Sequence, residues 1–547
     1  MLLSDWLKNE ILGMIGGVVE GGSPEDISRL TLVGLEDDII KEKLKEYVTW
    51  YVGDSDELLN LYSKSNMIDY NSSPIYYRNK RSYFWCVSST EEDVKRTHSG
   101  QPGNIVNTLV SIVSTPIVSC EDKRDEESLK DIIEESNFWA LYKETQLPMT
   151  LVEGWGCYKI SWDLTISDKP YITYYRAADV DFAWKSGKVV GVIFKDWYQG
   201  KNEEKYLVTE TRFLKPRKDE ETGKIVRDLI VKTRAFRTSG SGTQSGTIIM
   251  DDNFDNIPEL KNLNSGYIIN DFDSLLATPT IIYKDSINPK LPGKSIFQNK
   301  LDLFDDLDQE LSQQANCIGK STPEELFNTD FLQRDPRTGI PIQPKRYDRK
   351  FTMYKGGNNS DGTPNSSLPV QTTQPTVDFN RYGQAVIDTM SQILSGIMSP
   401  ATMGININLG NNNVTQRDKE RVTIATRNHI TKEEEHILKN VFNDLLCCSE
   451  YLKEGKISKK KYNISVKWSE FIDTSFEEKA GLLSAMLDNG DISPEMYIEK
   501  LYGDVLNDEE KKRELKYLKE MHNPDLQRER MEGISGKDLA GIFGGDE

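Results

Sequence analysis

The chain between Ile296 and Leu452 begins with IFQNKLDLFDDLDQELSQQANCI (residues 296–318), which predicts a helix of about 35 Å with two contrasting faces. Apolar residues recur along this segment at helical spacing, at Phe297, Leu301, Phe304, Leu307, Leu311, Ala315 and Ile318. Acidic residues crowd another face, at Asp302, Asp305, Asp306, Asp308 and Glu310. From residue type alone, we expect the acidic face to be solvated.

The sequence that follows predicts two more helices separated by polar segments. Residues 319–376 are rich in Pro, Gly, Asn and Ser and contain one predicted strand, KFTMYKG. A second helix begins near Val377 and ends at SGIMSPATMGININLGNNN, an Asn-rich turn. A third helix is predicted from Thr415 to Leu452, with a kink or restart at Thr431, where Glu434 completes a capping-box pattern. This order is more typical of the wall of a ring than of an enzyme.

The flanking regions predict a mixed α+β protein. Residues 1–150 show mainly amphipathic helical patterns, whereas residues 151–290 contain short β-branched and aromatic runs separated by turns. The alternating segment YNISVKW (462–468) predicts a strand, and three shorter helices follow it before a polar tail.

The composition is that of an acidic protein. The chain has 547 residues, of which 68 are Lys or Arg and 87 are Asp or Glu, so its formal net charge is −19. Such a chain repels DNA at long range, which excludes tight, sequence-independent binding of phosphates over the whole surface.

The cysteines and the N-terminus indicate a cytoplasmic product. The six cysteines show no paired spacing and are expected to be reduced. The N-terminal apolar run, Ile11 to Val19, is too short to span a bilayer and lacks the basic leader of a signal peptide. We therefore expect no membrane partner.

Several motifs suggest chemistry but fit simpler interpretations better. The GKS tripeptides at 293–295 and 319–321 lack the preceding glycine of a phosphate-binding loop and are predicted to mark the ends of the acidic helix. His429, Glu433 and His436 could share one helix face, but a metal would need a further ligand. The run Lys459–Lys461 is predicted to be a solvated turn, with nucleic-acid contact as the alternative.

The acids at 302–310 leave a second function open. A nuclease that uses two metal ions gathers carboxylates, but usually from several elements rather than from one helix. A Mg²⁺-dependent nucleic-acid-processing enzyme is therefore one alternative. A ring-forming structural protein that does not enclose DNA is another.

The order of these segments resembles that of the portal (head-to-tail connector) proteins of tailed double-stranded DNA bacteriophages. QPGNIVNTLVSIVSTPIV (101–118) resembles a wing helix of that family, and GKSIFQNKLDLFDDLDQELSQQAN resembles the first stem helix. SQILSGIMSPATMG resembles the end of the second stem helix, and TQRDKERVTIATRNHI the start of the long helix behind the tunnel loop. YNISVKWSEFIDTSFEEKAGLLSAMLDNGDISPEMYIEKLYG resembles the return strand and crown helices. The likeness covers residues 75–510, and its specificity lies in the order of the pieces.

The resemblance implies a portal-type α+β fold with a helical stem, a β-rich wing, a small α/β clip and a helical crown. It places the wing at 1–290, the first stem helix at 291–318, the clip at 319–376, the second stem helix at 377–400, the tunnel loop at 401–414, the long wing helix and return strand at 415–472, the crown at 473–523 and a flexible tail at 524–547.

The resemblance also implies a function. The chain would form a ring, typically a dodecamer, at one capsid vertex of the virion after assembly in the bacterial cytoplasm. This ring would pass double-stranded DNA during packaging and ejection. It would contact the terminase large subunit, a head–tail adaptor, and the major capsid and scaffold proteins. No catalytic residue, metal ion or cofactor is expected. In the setting of a phage, the two alternatives are a Mg²⁺-dependent nucleic-acid-processing enzyme of the head and a ring-forming head or tail protein that does not enclose DNA.

Two sets of residues would face the DNA in such a ring. The tunnel loop offers neutral side chains for weak phosphate contacts, at Asn406, Asn408, Asn411, Asn412 and Asn413. The stem acids Asp302, Asp305 and Asp306 would flank the channel and repel the duplex. A ring of basic side chains that slows DNA is not expected from this loop, since it contains no Lys or Arg before Arg417.

Overall fold

The structure is a computed structural model in which helices and strands are mixed, which confirms the α+β class. It describes residues 30–33, 38–62, 83–86, 95–163, 167–185, 187–200, 204–218, 223–238, 248–250, 254–260, 265–285, 291–321, 324–328, 333–342, 350–354, 370–373, 379–405, 420–455, 462–469, 476–502 and 508–521. The chain divides into two compact units, Met1–Trp468 and Ser469–Glu547. Within the described ranges, no helix is both long and apolar enough to cross a membrane.

Helices of the first unit surround a continuous apolar core. Those before residue 160 are Asp38–Val52, Ser55–Tyr62, Gln101–Val113, Lys123–Glu135, Phe138–Ala140 and Leu147–Glu153, with a π-helical segment, Leu141–Gln146, between the last two. Gln101–Val113 has Pro102 in its first turn and buries Ile105, Val106 and Leu109, as its apolar sequence predicts. The helical prediction for this part of the chain is confirmed where it is described.

One large antiparallel sheet carries most of the β structure. Its strands are β1 (Leu30–Val33), β5 (Val180–Lys185), β6 (Lys188–Gln199), β7 (Lys205–Lys218), β8 (Ile225–Thr238), β9 (Ile248–Met250) and β10 (Gly266–Ile269). They lie in the order β1-β5-β6-β7-β8-β10, and β9 also pairs with β8. The sheet confirms the β-rich prediction for residues 151–290.

Two smaller sheets also contribute residues to the apolar core. The first has the order β11-β3-β4 and is formed by β3 (Gly156–Ser161), β4 (Tyr171–Arg176) and β11 (Ala277–Thr280). The second joins β2 (Ile117–Cys120) to β15 (Ile464–Lys467), with Val466 opposite Val118. The strand predicted from YNISVKW is therefore confirmed, and its partner lies directly after the helix Gln101–Val113.

Three further helices organise the region around the polar insertion. We call them the acidic helix (Leu301–Lys320), the partner helix (Phe379–Leu394) and the long helix (Arg421–Glu454). The acidic helix begins five residues later than predicted, because Asn299 has a left-handed backbone with φ of 64° and residues 296–300 form turns.

The insertion forms a small mixed sheet. Its strands are β12 (Glu324–Asn328), β13 (Lys350–Tyr354) and β14 (Val370–Thr373). The central strand β12 runs parallel to β13 and antiparallel to β14. The strand predicted from KFTMYKG is confirmed as β13. After Lys320, the described residues of this insertion contain strands and turns but no helix.

The long helix has 34 residues and is about 51 Å long. The prediction of a restart at Thr431 is wrong, because the helix continues through this residue, whereas a kink there stays a prediction. The Thr431 hydroxyl donates to the carbonyl of Asn428 at 3.2 Å instead of capping a new helix, and Glu434 bonds to a distant side chain. The helix ends at Gly455, whose φ of 66° suits a left-handed cap. The predicted start at Thr415 lies outside the described residues.

The second unit contains the three predicted short helices, Phe476–Asp488, Pro494–Tyr502 and Asp508–Met521. The Ser493 hydroxyl accepts a hydrogen bond from the Met496 N–H at 3.2 Å and caps the middle helix. Ion pairs of Lys511 with Glu499 and of Lys519 with Glu495 connect the last two helices. The predicted cap at Ser475 lies outside the described residues.

Candidate functional site

The acidic helix and the partner helix form an antiparallel hairpin. The Lys300 ammonium donates to the carbonyl oxygens of Gln392 and Ser395 at 2.9 and 3.0 Å. Farther along, the Thr389 hydroxyl donates to Glu310 at 3.0 Å. At the far end, Cys317 Sγ lies 3.3 Å from the Tyr382 hydroxyl. The residue numbers of these contacts therefore increase along the acidic helix as they decrease along the partner helix. The sheet of β12, β13 and β14 follows at the end where Lys320 and Phe379 lie.

The apolar stripe predicted along the acidic helix is buried only in its first half, because Leu311 is partly exposed and Ala315 and Ile318 are exposed. Phe297, Phe304 and Leu307 are at most 1% exposed, and Ile393 of the partner helix is fully buried. Burial of these side chains is worth roughly 2 kcal/mol each, which is why the hairpin forms along this stripe.

A second stripe of the acidic helix binds two segments from the N-terminal part of the chain. We call Asp302, Asp305, Asp308 and Ser312 the acid ladder, because their spacing of three, three and four residues keeps them on one side of the helix. The Tyr83 hydroxyl donates to Asp302. The three later members of the ladder, Asp305, Asp308 and Ser312, accept hydrogen bonds from residues between Phe84 and Ser99.

Asp305 and Asp308 accept most of these bonds. The backbone N–H groups of Phe84 and Trp85 donate to Asp305 at 2.7 and 3.4 Å. Asp308 accepts from the Trp85 indole at 3.0 Å and from the Ser99 backbone at 2.8 Å.

Ser312 ends the ladder by accepting from the Thr97 backbone N–H at 3.0 Å. The ladder thus fixes residues 83–86 and 95–99 to the acidic helix.

The acids do not form one continuous solvated face. Asp302 and Asp306 are exposed, in agreement with the prediction, but Asp305 is 4% exposed and Asp308 is fully buried. The prediction that Asp305 lines a solvated face is wrong, because its carboxylate is turned toward Phe84 and Trp85. A position beside a channel stays a prediction for Asp302 and Asp306.

Burial changes the acidity of these groups. Desolvation raises the pKa of Asp305 to about 7, although the N–H bonds from Phe84 and Trp85 oppose the shift. Burial also raises the pKa of Asp306 and of Glu310, and the neighbouring Asp302 adds to the shift of Asp306. Within the described residues, no group of three or more His, Cys, Asp or Glu is placed to hold a metal ion.

The Asn-rich loop starts and ends at a fixed base. Its predicted DNA-facing residues, Asn406, Asn408, Asn411, Asn412 and Asn413, lie outside the described residues. On the near side, a short 3₁₀ helix, Pro400–Met403, follows the partner helix. The Thr423 hydroxyl, in the first turn of the long helix, accepts from the Ser399 N–H at 2.8 Å and lies 2.7 Å from the Thr402 hydroxyl. These contacts hold the two ends of the loop side by side.

The base of this loop is also fixed to the helix Gln101–Val113. The Arg427 guanidinium donates to the carbonyl of Ile112 at 3.0 Å. Thr108 Oγ1 lies 3.6 Å from the sulfur of Met403. Segments that the sequence separates by about 300 residues therefore meet at one place.

The remaining sequence candidates have structural roles where they are described. Gly293 packs directly against the backbone of Gly154, and Ser321 caps the end of the acidic helix by donating to Ile318. Both GKS tripeptides flank that helix, as predicted. His429 Nε2 lies 3.2 Å from the carbonyl of Ile282. The lysine run 459–461 lies outside the described residues.

The sequence analysis did not identify Asp308 and Ser312 as members of a binding stripe. Their spacing from Asp302 and Asp305 was a usable signal, because it separates the ladder from both the apolar stripe and Asp306.

Neither a scan against models of protein families nor a search of curated proteins finds a match for this sequence.

Proposed function

We propose that this chain is the subunit of a phage portal, a ring at one capsid vertex through which DNA is packaged and ejected. The observation that carries the proposal is the closed base of the Asn-rich loop. The loop leaves a helical hairpin at Gly404 and returns at Glu420 into the long helix, while Thr423 bonds to Ser399 and Thr402. Two loop ends that are held side by side give the segment between them a fixed base, as a channel constriction requires.

The surrounding elements support the same proposal. The hairpin carries a small sheet at one end, which corresponds to the stem and clip that the resemblance implies. The strand β15 returns from the long helix to pair with β2. In this proposal the insertion sheet docks the terminase large subunit during packaging and the head–tail adaptor afterwards, and other surfaces contact the capsid and scaffold proteins.

The charge of the chain suits a conduit. A subunit with a net charge of −19 contributes to an assembly that repels DNA, so few phosphate contacts would have to break as the duplex advances. The exposed carboxylates of Asp302 and Asp306 would add to this repulsion beside the channel. The asparagines of the loop would provide weak, neutral contacts.

Removal of the loop tests the proposal. In a phage that encodes this chain, deletion of residues 404–413 should leave the ring intact but reduce the amount of DNA that the head packages or keeps. The control replaces the same ten residues by Gly and Ser, which separates loss of the asparagines from loss of loop length. Normal filling and retention of the genome by the deletion phage would exclude the assignment of a DNA-facing loop.

A further inference from the structure

A carboxylate in the middle of the long helix lacks a charge partner. Glu434 is fully buried, and its Oε1 accepts a hydrogen bond from Gln146 Nε2 at 2.9 Å. Its second oxygen, Oε2, is buried without a hydrogen-bond partner, as is Oε1 of Gln146. Glu434 and Gln146 are thus joined by a single hydrogen bond, and each keeps one side-chain oxygen without a partner.

The groups around Glu434 are polar but uncharged. Tyr142 comes from the π-helical segment and Tyr158 from β3, and burial together with the charge of Glu434 raises the pKa of both. The Tyr158 hydroxyl is buried without a hydrogen-bond partner. Gln146 Nε2 is also 3.3 Å from the Thr150 hydroxyl, which lies 3.0 Å from the hydroxyls of Tyr174 and Thr280.

The ion pair of Glu153 with Arg176 does not compensate the charge of Glu434. Both Glu153 and Glu434 act electrostatically on Tyr174, but the Arg176 guanidinium bonds to Glu153, at 2.6 Å. In the described part of the chain, no Lys, Arg or His pairs with Glu434.

An ionised carboxylate in this position would be costly. Burial of an unpaired charge costs several kcal/mol, and a charged Glu434 would offer only acceptors to the unsatisfied Gln146 oxygen. A proton on Oε2 removes the charge and converts that oxygen into a donor. A carboxylic acid and a primary amide then each present one donor and one acceptor, which makes them complementary.

We propose that Glu434 binds a proton in the folded protein near neutral pH and forms, with Gln146, a proton-binding site that joins the long helix to the π-helical segment. Burial raises the pKa of Glu434 to about 7, and the hydrogen bond from Gln146 opposes this shift only in part. Gln146 ends the π-helical segment Leu141–Gln146, and such segments are frequent at functional sites. Loss of the proton weakens the junction, so its strength falls as the pH rises. This inference does not depend on the proposed portal function.

Infrared spectroscopy of the full-length protein tests the proposal. At about pH 7, the difference between wild type and Glu434→Gln should contain the carbonyl stretch of a carboxylic acid that is about half protonated, and this band should grow as the pH falls and disappear as it rises. Glu435→Gln serves as the control, because Glu435 is partly exposed and pairs with Lys439 at 2.5 Å. The control should keep the band.

Two results would overturn the proposal. One is a Glu434→Gln spectrum without any loss in the carboxylic-acid region at that pH. The other, which needs no variant, is wild-type protein with isotope-labelled glutamate that shows no protonated glutamate at neutral pH. This second measurement keeps the test decisive if Glu434→Gln does not fold.

Discussion

Asp308 Oδ2 lies 2.7 Å from Nδ1 of His98, although 210 positions separate the two residues in the chain. The same carboxylate accepts hydrogen bonds from the Trp85 indole and the Ser99 backbone. An acid that the sequence places on a charged helix face is therefore the buried anchor of a distant segment.

Substitution of this anchor should destabilise the protein. In Asp308→Asn, the amide nitrogen replaces one acceptor oxygen, so one of the buried donors on His98, Trp85 or Ser99 loses its partner. We expect the free energy of unfolding to fall by about 1–3 kcal/mol in urea titrations.

Asp306→Asn is the matched control, because Asp306 is two residues away on the same helix but exposed. Its free energy of unfolding should change by less than about 0.5 kcal/mol. Equal effects of the two substitutions would show that the acid ladder contributes nothing beyond the charge of the helix.

Stability should decrease as the pH rises toward neutrality. Burial raises the pKa values of Asp305, Glu434 and Asp444 to about 7 in the folded state. The folded protein therefore binds protons more tightly than the unfolded chain between about pH 4 and pH 7. For each of these groups, the stabilisation of the fold is fully present below about pH 4 and is lost as the pH rises to about 7. Each unit by which the pKa is raised on folding corresponds to about 1.4 kcal/mol.

Urea titrations at about pH 5 and about pH 8 check this slope, and Glu434→Gln should show a smaller decline than wild type. Glu210 changes the stability in the opposite direction. Burial would raise its pKa, but Arg212 and Lys159 lower it to about 2, so its contribution is lost only as the pH falls in more acidic solution. A stability that rises between the two pH values would contradict the raised pKa values.

The contact of Gly293 with Gly154 should not tolerate a side chain. A Cβ at Gly293 would lie 2.2 Å from the carbonyl oxygen of Gly154, which is backbone and cannot rotate away. We expect Gly293→Ala to destabilise the protein by about 1–3 kcal/mol.

Gly383→Ala, in the partner helix, meets nothing within 4 Å and should be neutral or stabilising by up to about 1 kcal/mol. Thermal unfolding of both variants distinguishes them. An unchanged melting temperature for Gly293→Ala would mean that the segment before the acidic helix is not held against residue 154.

A turn of the insertion should contribute to partner binding if the portal proposal holds. The turn is closed by hydrogen bonds from Ile342 N–H to Gln333 at 2.7 Å and from Asp335 N–H to Ile340 at 3.0 Å. Ile340 and Ile342 are 63% and 52% exposed, and such apolar side chains favour a binding surface.

Replacement of both by Ser should leave the unfolding free energy unchanged but weaken binding of the phage's terminase large subunit by about tenfold or more, measured by titration. Ile225→Ser is the control, because Ile225 is 77% exposed on β8, outside the insertion. If Ile225→Ser weakens binding as much as the double substitution, the insertion is not the docking surface.

Local patterns predicted elements well, and long-range contacts decided the rest. The alternation of YNISVKW identified β15, and apolar spacing identified the acidic, partner and long helices. The capping-box pattern at Thr431 failed because Glu434 bonds to Gln146, 288 positions away. The acid ladder was missed for the same reason: its donors lie more than 200 positions earlier, and charge alone indicated a solvated face.

Copies of this chain should enclose a channel, and end-on electron microscopy of the purified assembly tests this arrangement most directly. Mass measurement of the same particles gives the number of 62.4 kDa subunits. The portal account predicts a closed ring, typically of twelve subunits, with an open centre wide enough for a DNA duplex. Monomers under all conditions, or assemblies with a filled centre, would contradict it.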